Sequence, residues 1–169
     1  MKRFIVIGIL ILLLCSGCNT IKKSWKSLFG ENLAESAQML AWDGMDAYED
    51  GNYSVAIDNF QKLKDWYPFS KYAILAELKI ADSNYHLKKY EEAIFAYEEF
   101  EKLHPRNEAI PYVIYQIGRC YFDQIGTIDR DQTPARKAYE TFQRLDKQFP
   151  DDKYARSGLE HISTCLKSM

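Results

Sequence analysis

One pattern recurs three times along the sequence and limits what the chain can fold into. In each copy an alanine is followed by an aromatic residue at position +4 and by a proline at position +12, starting from Ala56, Ala93 and Ala138. A small residue follows each proline by 13 positions, and with one earlier glycine these residues form the series Gly44, Ala81, Gly118 and Ser163. Spacings of 37, 37 and 45 residues in this series indicate one structural unit that is repeated with a single insertion.

The spacing within each unit predicts a pair of antiparallel helices. Apolar residues recur at helical spacing from Leu33 onward, without a sustained alternation typical of strands. A small residue on the first helix and an alanine on the second allow the two helices to approach closely, and the aromatic residue lies one turn after the alanine. Proline cannot continue a helix, so each second helix should end just before it, at Tyr67, His104 and Phe149. The side chains expected to cap the following helices are Ser70, Asn107 and Asp152.

This arrangement of alanine, aromatic residue and proline resembles the tetratricopeptide repeat over about residues 34–169. The resemblance implies an all-α fold, a right-handed solenoid of about three helical hairpins plus a C-terminal capping helix. We expect the hairpins over residues 35–67, 71–104 and 108–149, and the last helix from Lys153 to about Lys167. The apolar stripe predicted to seal the stack consists of Ala155, Leu159, Ile162, Leu166 and Met169.

The N-terminus is typical of a targeting segment. Lys2 and Arg3 precede an apolar run of eleven residues, which is too short to span a bilayer. The run ends in Cys15-Ser16-Gly17-Cys18, which resembles the lipobox of bacterial lipoproteins. That resemblance implies a signal peptide over residues 1–17 and acyl chains on Cys18. Residues 19–32 lack sustained periodicity, so we expect a tether over 18–32 before the repeat domain over 33–169. An ordinary signal peptide cut near Cys18 is the alternative, and Asn19 favours sorting to the outer membrane.

Charge and residue spacing argue against several functions. Loss of residues 1–17 leaves 20 basic and 24 acidic residues, a net charge of −4, interspersed along the chain. A basic stripe of the kind that binds nucleic acid is therefore not expected. The three histidines, His86, His104 and His161, are not spaced as metal ligands, and no catalytic motif occurs. We expect neither an enzyme nor a metal site, and no cofactor besides the acyl chains.

Two cysteines of the repeat domain raise the question of a disulfide bond. Cys120 and Cys165 each follow a repeat's proline by 15 residues, so they occupy equivalent positions in adjacent repeats. Equivalent positions in stacked hairpins should lie about 10 Å apart, beyond the ~7 Å that a disulfide tolerates between Cα atoms. Two free thiols near the packing seam are favoured over a bridge.

The insertion lengthens the turn of the third hairpin by about eight residues, between Tyr121 and Ala138. It contains Arg130-Asp131-Gln132, and the corners of the first and third repeats share the pattern Pro-x-x-Lys-Tyr-Ala. Together with the lipobox, these features resemble the BamD-type lipoproteins of the outer-membrane β-barrel assembly machinery. Family members generally continue beyond the position of Met169, so this chain resembles a C-terminally truncated member.

This resemblance implies a scaffold anchored on the periplasmic face of the outer membrane. Its implied partners are the POTRA region of BamA, the other assembly lipoproteins and unfolded β-barrel proteins. The alternative is a different periplasmic tetratricopeptide lipoprotein, such as a pilotin or a cell-envelope coordinator.

The tetratricopeptide resemblance also indicates where a partner would bind, because first helices line the concave side of such stacks. Three rings recur there at intervals of 37 residues, namely Tyr48, Tyr85 and Phe122. The same mapping places Asp82, Tyr115 and Arg119 on this surface, with Arg119 beside Asp82 to hold a peptide's carboxylate or backbone. The alternative is that the rings only pack within their own hairpins.

Overall fold

The computed structural model describes residues 33–125 and 131–169. The predicted signal peptide, Cys18 and the predicted tether to residue 32 lie outside the described residues, as do residues 126–130 of the insertion. The chain divides into two compact units, Met1–Met39 and Leu40–Met169. Of the first unit only residues 33–39 are described, and they are helical. The second unit carries the repeats.

The described residues form seven helices and no strand, which confirms the all-α prediction. Helix α1 covers residues 33–49. The others are α2 (Tyr53–Trp66), α3 (Ala73–His86), α4 (Tyr90–Leu103), α5 (Ile110–Phe122), α6 (Thr133–Gln148) and α7 (Lys153–Ser168). From α2 onward each helix packs against the next along the chain, and α5 also packs against α7. Three hairpins and one last helix therefore stack as a solenoid. Over the described ranges, none of these helices combines the length and the apolar character that a bilayer crossing requires.

The proline corners end and restart the helices as predicted. Tyr67, His104 and Phe149 are the C-terminal caps of α2, α4 and α6. At the start of α7 the Asp152 carboxylate accepts a hydrogen bond from the Tyr154 amide at 2.7 Å. The side chains of Ser70 and Asn107 make the same bond to the amide two residues later, but α3 and α5 begin slightly further on. The capping prediction is confirmed as a helix cap for Asp152 alone.

Small residues are buried beneath the aromatic residues of the second helices. A Cβ atom placed on Gly44 would lie 2.7 Å from the Phe60 ring, and one on Gly118 would lie 2.5 Å from the Phe142 ring. Both contacts are shorter than real Cβ atoms tolerate, so only glycine fits beneath these buried rings. Each ring thus fills the seam of its own hairpin. Phe142 also contacts Gly158 of α7 and joins the third hairpin to the last helix.

The prediction for α7 is partly wrong. Ala155 is buried as expected, but the other buried residues are Gly158 and Cys165. The remaining large residues of the predicted stripe are not buried, and Leu159, Leu166 and Met169 are exposed. The helix is rotated from the predicted orientation because small side chains let it lie close to α5 and α6. Ser163, the last member of the small-residue series, is exposed.

Candidate functional site

The first helices α1, α3 and α5 each carry one of the predicted rings in their last turn. We call this set the ring row: Tyr48, Tyr85 and Phe122. All three side chains are half-buried, so part of each ring remains accessible. Each ring contacts a side chain from the next first helix along the stack, as described below. The rings therefore pack between hairpins as well as within their own hairpins.

Tyr48 contacts the second hairpin through a histidine and a lysine. Its hydroxyl lies 3.1 Å from His86 Nε2, and the His86 ring stacks on Tyr53 at 4.5 Å between centroids. The ammonium group of Lys79 lies 4.2 Å from the Tyr48 ring centroid, within the range of a cation–π interaction. Burial, followed by the negative charge of Asp82, raises the pKa of Tyr48 to about 12. The hydroxyl therefore stays protonated at neutral pH.

Tyr85 lies at the centre of a charged cluster formed with α5. Its hydroxyl donates a hydrogen bond of 2.6 Å to the Asp123 carboxylate and accepts one of 2.7 Å from Arg119. The guanidinium carbon of Arg119 lies 5.7 Å from the Tyr85 ring centroid and 5.9 Å from that of Tyr115. The buried Nε of Arg119 has no hydrogen-bond partner among the described residues. Arg119 is thus held between two rings with one donor unused.

Asp82 does not line this surface, and the prediction that it does is wrong. Only 2% of its surface is exposed. One carboxylate oxygen accepts hydrogen bonds from the hydroxyls of Tyr97 at 2.7 Å and Tyr112 at 2.8 Å, and the other accepts from Lys79 at 2.9 Å. These donors hold the carboxylate inside the stack, whereas Arg119 has a different set of partners. The predicted pairing of Asp82 with Arg119 is not observed.

The ring row continues from α5 to α7 through His161. The Phe122 and His161 ring centroids are 4.4 Å apart, and Phe142 lies 5.3 Å from the same imidazole. The hydroxyl of Tyr115 lies 3.4 Å from His161 Nε2. Burial and the positive charge of Arg119 lower the pKa of His161, which favours the neutral imidazole. The imidazole is therefore an aromatic contact rather than a charge.

Sequence reasoning missed the polar partners of the ring row. His86 and Asp123 directly follow the second and third rings, and each contacts the hydroxyl of the tyrosine 38 positions earlier. The sequence did carry a signal for these partners, because a polar residue follows each tyrosine of the row by 38 positions. His161 lies two positions before the small residue of its repeat and offers no comparable pattern.

The two cysteines of the repeat domain lie near this surface but are buried free thiols. Burial, followed by the negative charge of Asp123, raises the pKa of Cys120 to about 12. Burial also raises the pKa of Cys165. Neither thiol is activated as a nucleophile. Within the described ranges, no three histidine, cysteine or acidic side chains are grouped as a metal site.

Two equivalent grooves lie between consecutive second helices. The first, of about 440 Å³, includes Lys64, Phe95 and Glu99 in its lining, and the second, of about 450 Å³, includes Glu101 and Arg144. In the second groove Arg144 makes a two-point ion pair with Glu101, with distances of 2.5 and 3.1 Å. This bridge joins α4 to α6, so the second groove has a structural role.

The hairpins, their glycine-on-ring packing and the ring row on the first helices define a helical-repeat protein of the tetratricopeptide class. Solved structures show the same fold. The tetratricopeptide domain of Arabidopsis OM64 has a TM-score of 0.60 at 11% identity, over 78% of this chain and 98% of that domain. The first such domain of human RPAP3 has a TM-score of 0.59 at 22% identity, over 80% of this chain and 95% of that domain.

The sequence places the chain more narrowly within this class. Residues 34–169 match the YfiO family, described as outer membrane lipoprotein, and the chain belongs to this family. Similar curated relatives are named outer membrane protein assembly factor BamD. The relative from Caulobacter vibrioides is 27% identical over 89% of this chain and 48% of its own length, and that from Neisseria gonorrhoeae is 28% identical over 71% and 49%. The chain therefore spans about half the length of these relatives.

Proposed function

We propose that this chain is a component of the outer-membrane β-barrel assembly machinery. In this role it is a scaffold rather than an enzyme, held on the periplasmic face of the outer membrane by acyl chains on Cys18. Its proposed partners are the POTRA region of BamA, the other assembly lipoproteins and unfolded β-barrel proteins. Support comes from its family and from relatives named as assembly factors.

The observation that carries the binding proposal is the continuity of the ring row across three hairpins. Hairpins in such stacks repeat every ~10 Å, so the three rings extend over about 20 Å. An extended segment of about six or seven residues covers this distance at ~3.3 Å per residue. Half-buried rings provide a large contact area with little loss of side-chain entropy. We therefore assign an extended, aromatic-rich segment of an unfolded β-barrel protein to this surface.

Arg119 gives the row a polar attachment point. Its guanidinium carbon lies 5.7 Å from the Tyr85 ring centroid and 5.9 Å from that of Tyr115, and 31% of its side chain is exposed. A peptide carbonyl or carboxylate oxygen would bind at the exposed part of this side chain, which Tyr85 and Asp123 hold in place. The side chain is thus already positioned before a ligand arrives, which lowers the entropic cost of binding.

Replacing the rings tests this assignment. Tyr85→Ala and Phe122→Ala should each weaken binding of a labelled, aromatic-rich β-barrel peptide at least tenfold in a fluorescence anisotropy titration. Helicity measured by circular dichroism should not fall. Phe95→Ala is the matched control, because Phe95 is an exposed ring on a second helix, away from the ring row. Unchanged affinity in both ring variants, or an equal loss in the control, would sink the assignment.

The cellular role is tested separately by crosslinking the chain in its native membrane and identifying the proteins captured. Recovery of BamA and nascent β-barrel proteins is the expected result. Recovery of only a pilus secretin or a peptidoglycan synthase would overturn the assembly role and favour a pilotin or a cell-envelope coordinator.

A further inference from the structure

Side chains bridge the second of the two grooves between consecutive second helices. Arg144 of α6 pairs with Glu101 of α4, and the ammonium group of Lys137 lies 5.0 Å from the ring centroid of Tyr121 on α5. All four residues line this groove. Both contacts cross it from α6 and join its walls to each other.

The first groove, between α2 and α4, has no such bridge. Lys64 and Glu99 occupy the positions of the bridging ion pair, with the charges reversed. Within the part of the chain that the structure describes, no ion pair joins them. Asn84 and Glu92 occupy the positions of the tyrosine and the lysine, so the cation–π contact has no counterpart either. We call this first groove the open groove.

Apolar side chains line the open groove between acidic ones. Phe95 is 64% exposed, and the partly buried Ile80 and Ala96 complete the apolar lining. Along α4 the lining residues Glu92, Phe95 and Glu99 follow one another at intervals of about one helical turn. The two glutamates are therefore about 10 Å apart along the helix axis, with an exposed ring between them.

The charge of the open groove is negative. Its lining contains one basic residue, Lys64, and three acidic ones, Glu91, Glu92 and Glu99. The two flanking helices with the turns before them, residues 50–66 and 87–103, carry eight acidic and five basic residues. Helix α6 differs, with two acidic and four basic residues. The acidic character thus belongs to the groove that is not bridged.

We propose that the open groove binds a short amphipathic helix of a partner protein, which carries an apolar residue between two basic ones seven positions apart. The apolar side chain lies on Phe95, and the two basic groups pair with Glu92 and Glu99. Seven residues of a helical ligand span the same distance of about 10 Å as the two glutamates. Charge complementarity favours a basic partner and disfavours an acidic one. Helices in apolar grooves are a recurrent mode of recognition.

This binding goes beyond the proposed function and does not use the ring row. A designed peptide tests it. The probe is a fluorescein-labelled, alanine-rich helix of about 18 residues, with a leucine between two lysines that are seven positions apart. We expect saturable binding to the full chain, purified from its native membrane in detergent, in a fluorescence anisotropy titration. Two control peptides, with glutamates in place of the lysines or alanine in place of the leucine, should each bind at least tenfold more weakly.

Bridging the open groove should block the probe. Lys64→Glu combined with Glu99→Arg rebuilds the ion pair of the second groove without changing the net charge, and should weaken binding at least fivefold. Phe95→Ala should weaken it by a similar factor. The matched control reverses the pair of the second groove, with Glu101→Lys and Arg144→Glu, and should leave the affinity unchanged. Circular dichroism checks that each variant remains helical.

Absence of saturable binding, or an unchanged affinity in the bridged variant, would overturn the proposal. Equal affinity for the glutamate or the alanine peptide would do the same, because the groove would then select neither charge nor apolar contact. A probe that is lost in Tyr85→Ala but retained in Phe95→Ala would lie on the ring row instead. Because Phe95→Ala should spare the β-barrel peptide, the two proposals fail independently.

Discussion

Asp82 and Arg119 occupy the same position in the second and third hairpins, 37 residues apart, yet they have opposite charges and different environments. Asp82 is buried and accepts three hydrogen bonds, whereas Arg119 is partly exposed between two rings. The difference follows from the second helix of each hairpin. Tyr97 brings a hydroxyl into the core of the second hairpin, and its counterpart in the third hairpin is Phe142, which has none.

A buried hydroxyl requires a partner, and the carboxylate of Asp82 provides one for both Tyr97 and Tyr112. Phe142 has no hydroxyl and packs against Gly118 and Gly158. An acidic side chain at position 119 would therefore receive no hydrogen bond from this ring. Position 119 is thus free to carry a side chain that faces the surface. One repeat position serves folding in the second hairpin and, by our proposal, binding in the third.

The largest expected effect comes from removing the buried acid. Asp82→Ala leaves two tyrosine hydroxyls without an acceptor and opens a small cavity, so the free energy of unfolding should fall by about 3–5 kcal/mol. Arg119→Ala, at the equivalent position, should lower it by only about 1 kcal/mol because the group is partly exposed. Urea unfolding followed by circular dichroism measures both. Equal losses would show that the two positions do not differ as described.

Adding a hydroxyl to the core of the third hairpin, and removing one from the core of the second, tests the same comparison more closely. Phe142→Tyr adds a hydroxyl to a hairpin core that has Arg119 rather than a carboxylate at the position of Asp82, which should cost about 2 kcal/mol of unfolding free energy. Tyr97→Phe removes one of the two hydroxyl donors to Asp82 and should cost about 1 kcal/mol. Thermal and urea unfolding of both variants provide the measurement. A stabilising Phe142→Tyr substitution would mean that an acceptor exists there.

The repeat spacing predicted the hairpins, their proline ends and the ring row, because each depends on residues close in sequence or at a fixed period. The burial of Asp82 depends on Tyr97 and Tyr112, which lie 15 and 30 residues away on other helices. A partial signal existed, since Tyr97 stands where the other repeats have Phe60 and Phe142. An added hydroxyl at a core position implies an acceptor nearby.

The orientation of α7 could not be predicted from its own periodicity. Its large apolar residues form a helical stripe, which favours their burial. In the structure the packing against α5 and α6 uses Ala155, Gly158 and Cys165 instead, because small side chains allow a closer approach. Which of two faces is buried depends on the surface that the preceding helices offer, and the sequence of one helix does not contain that information.

The smallest expected effects compare the turns of the first two hairpins. Gly51 and Lys88 occupy equivalent positions and both have a left-handed backbone, with φ of 76° and 58°. Only glycine adopts this conformation without strain, so Lys88→Gly should stabilise the fold by up to about 1 kcal/mol, partly offset by the greater freedom of the unfolded chain.

Gly51→Ala should destabilise the fold by about 1 kcal/mol. A Cβ atom at Gly51 would meet no other atom within 4 Å, so this loss of stability comes from the strained backbone and not from a steric clash. Urea unfolding of the two variants should give shifts of opposite sign. If Lys88→Gly destabilises instead, the lysine side chain contributes more at this turn than its backbone strain costs.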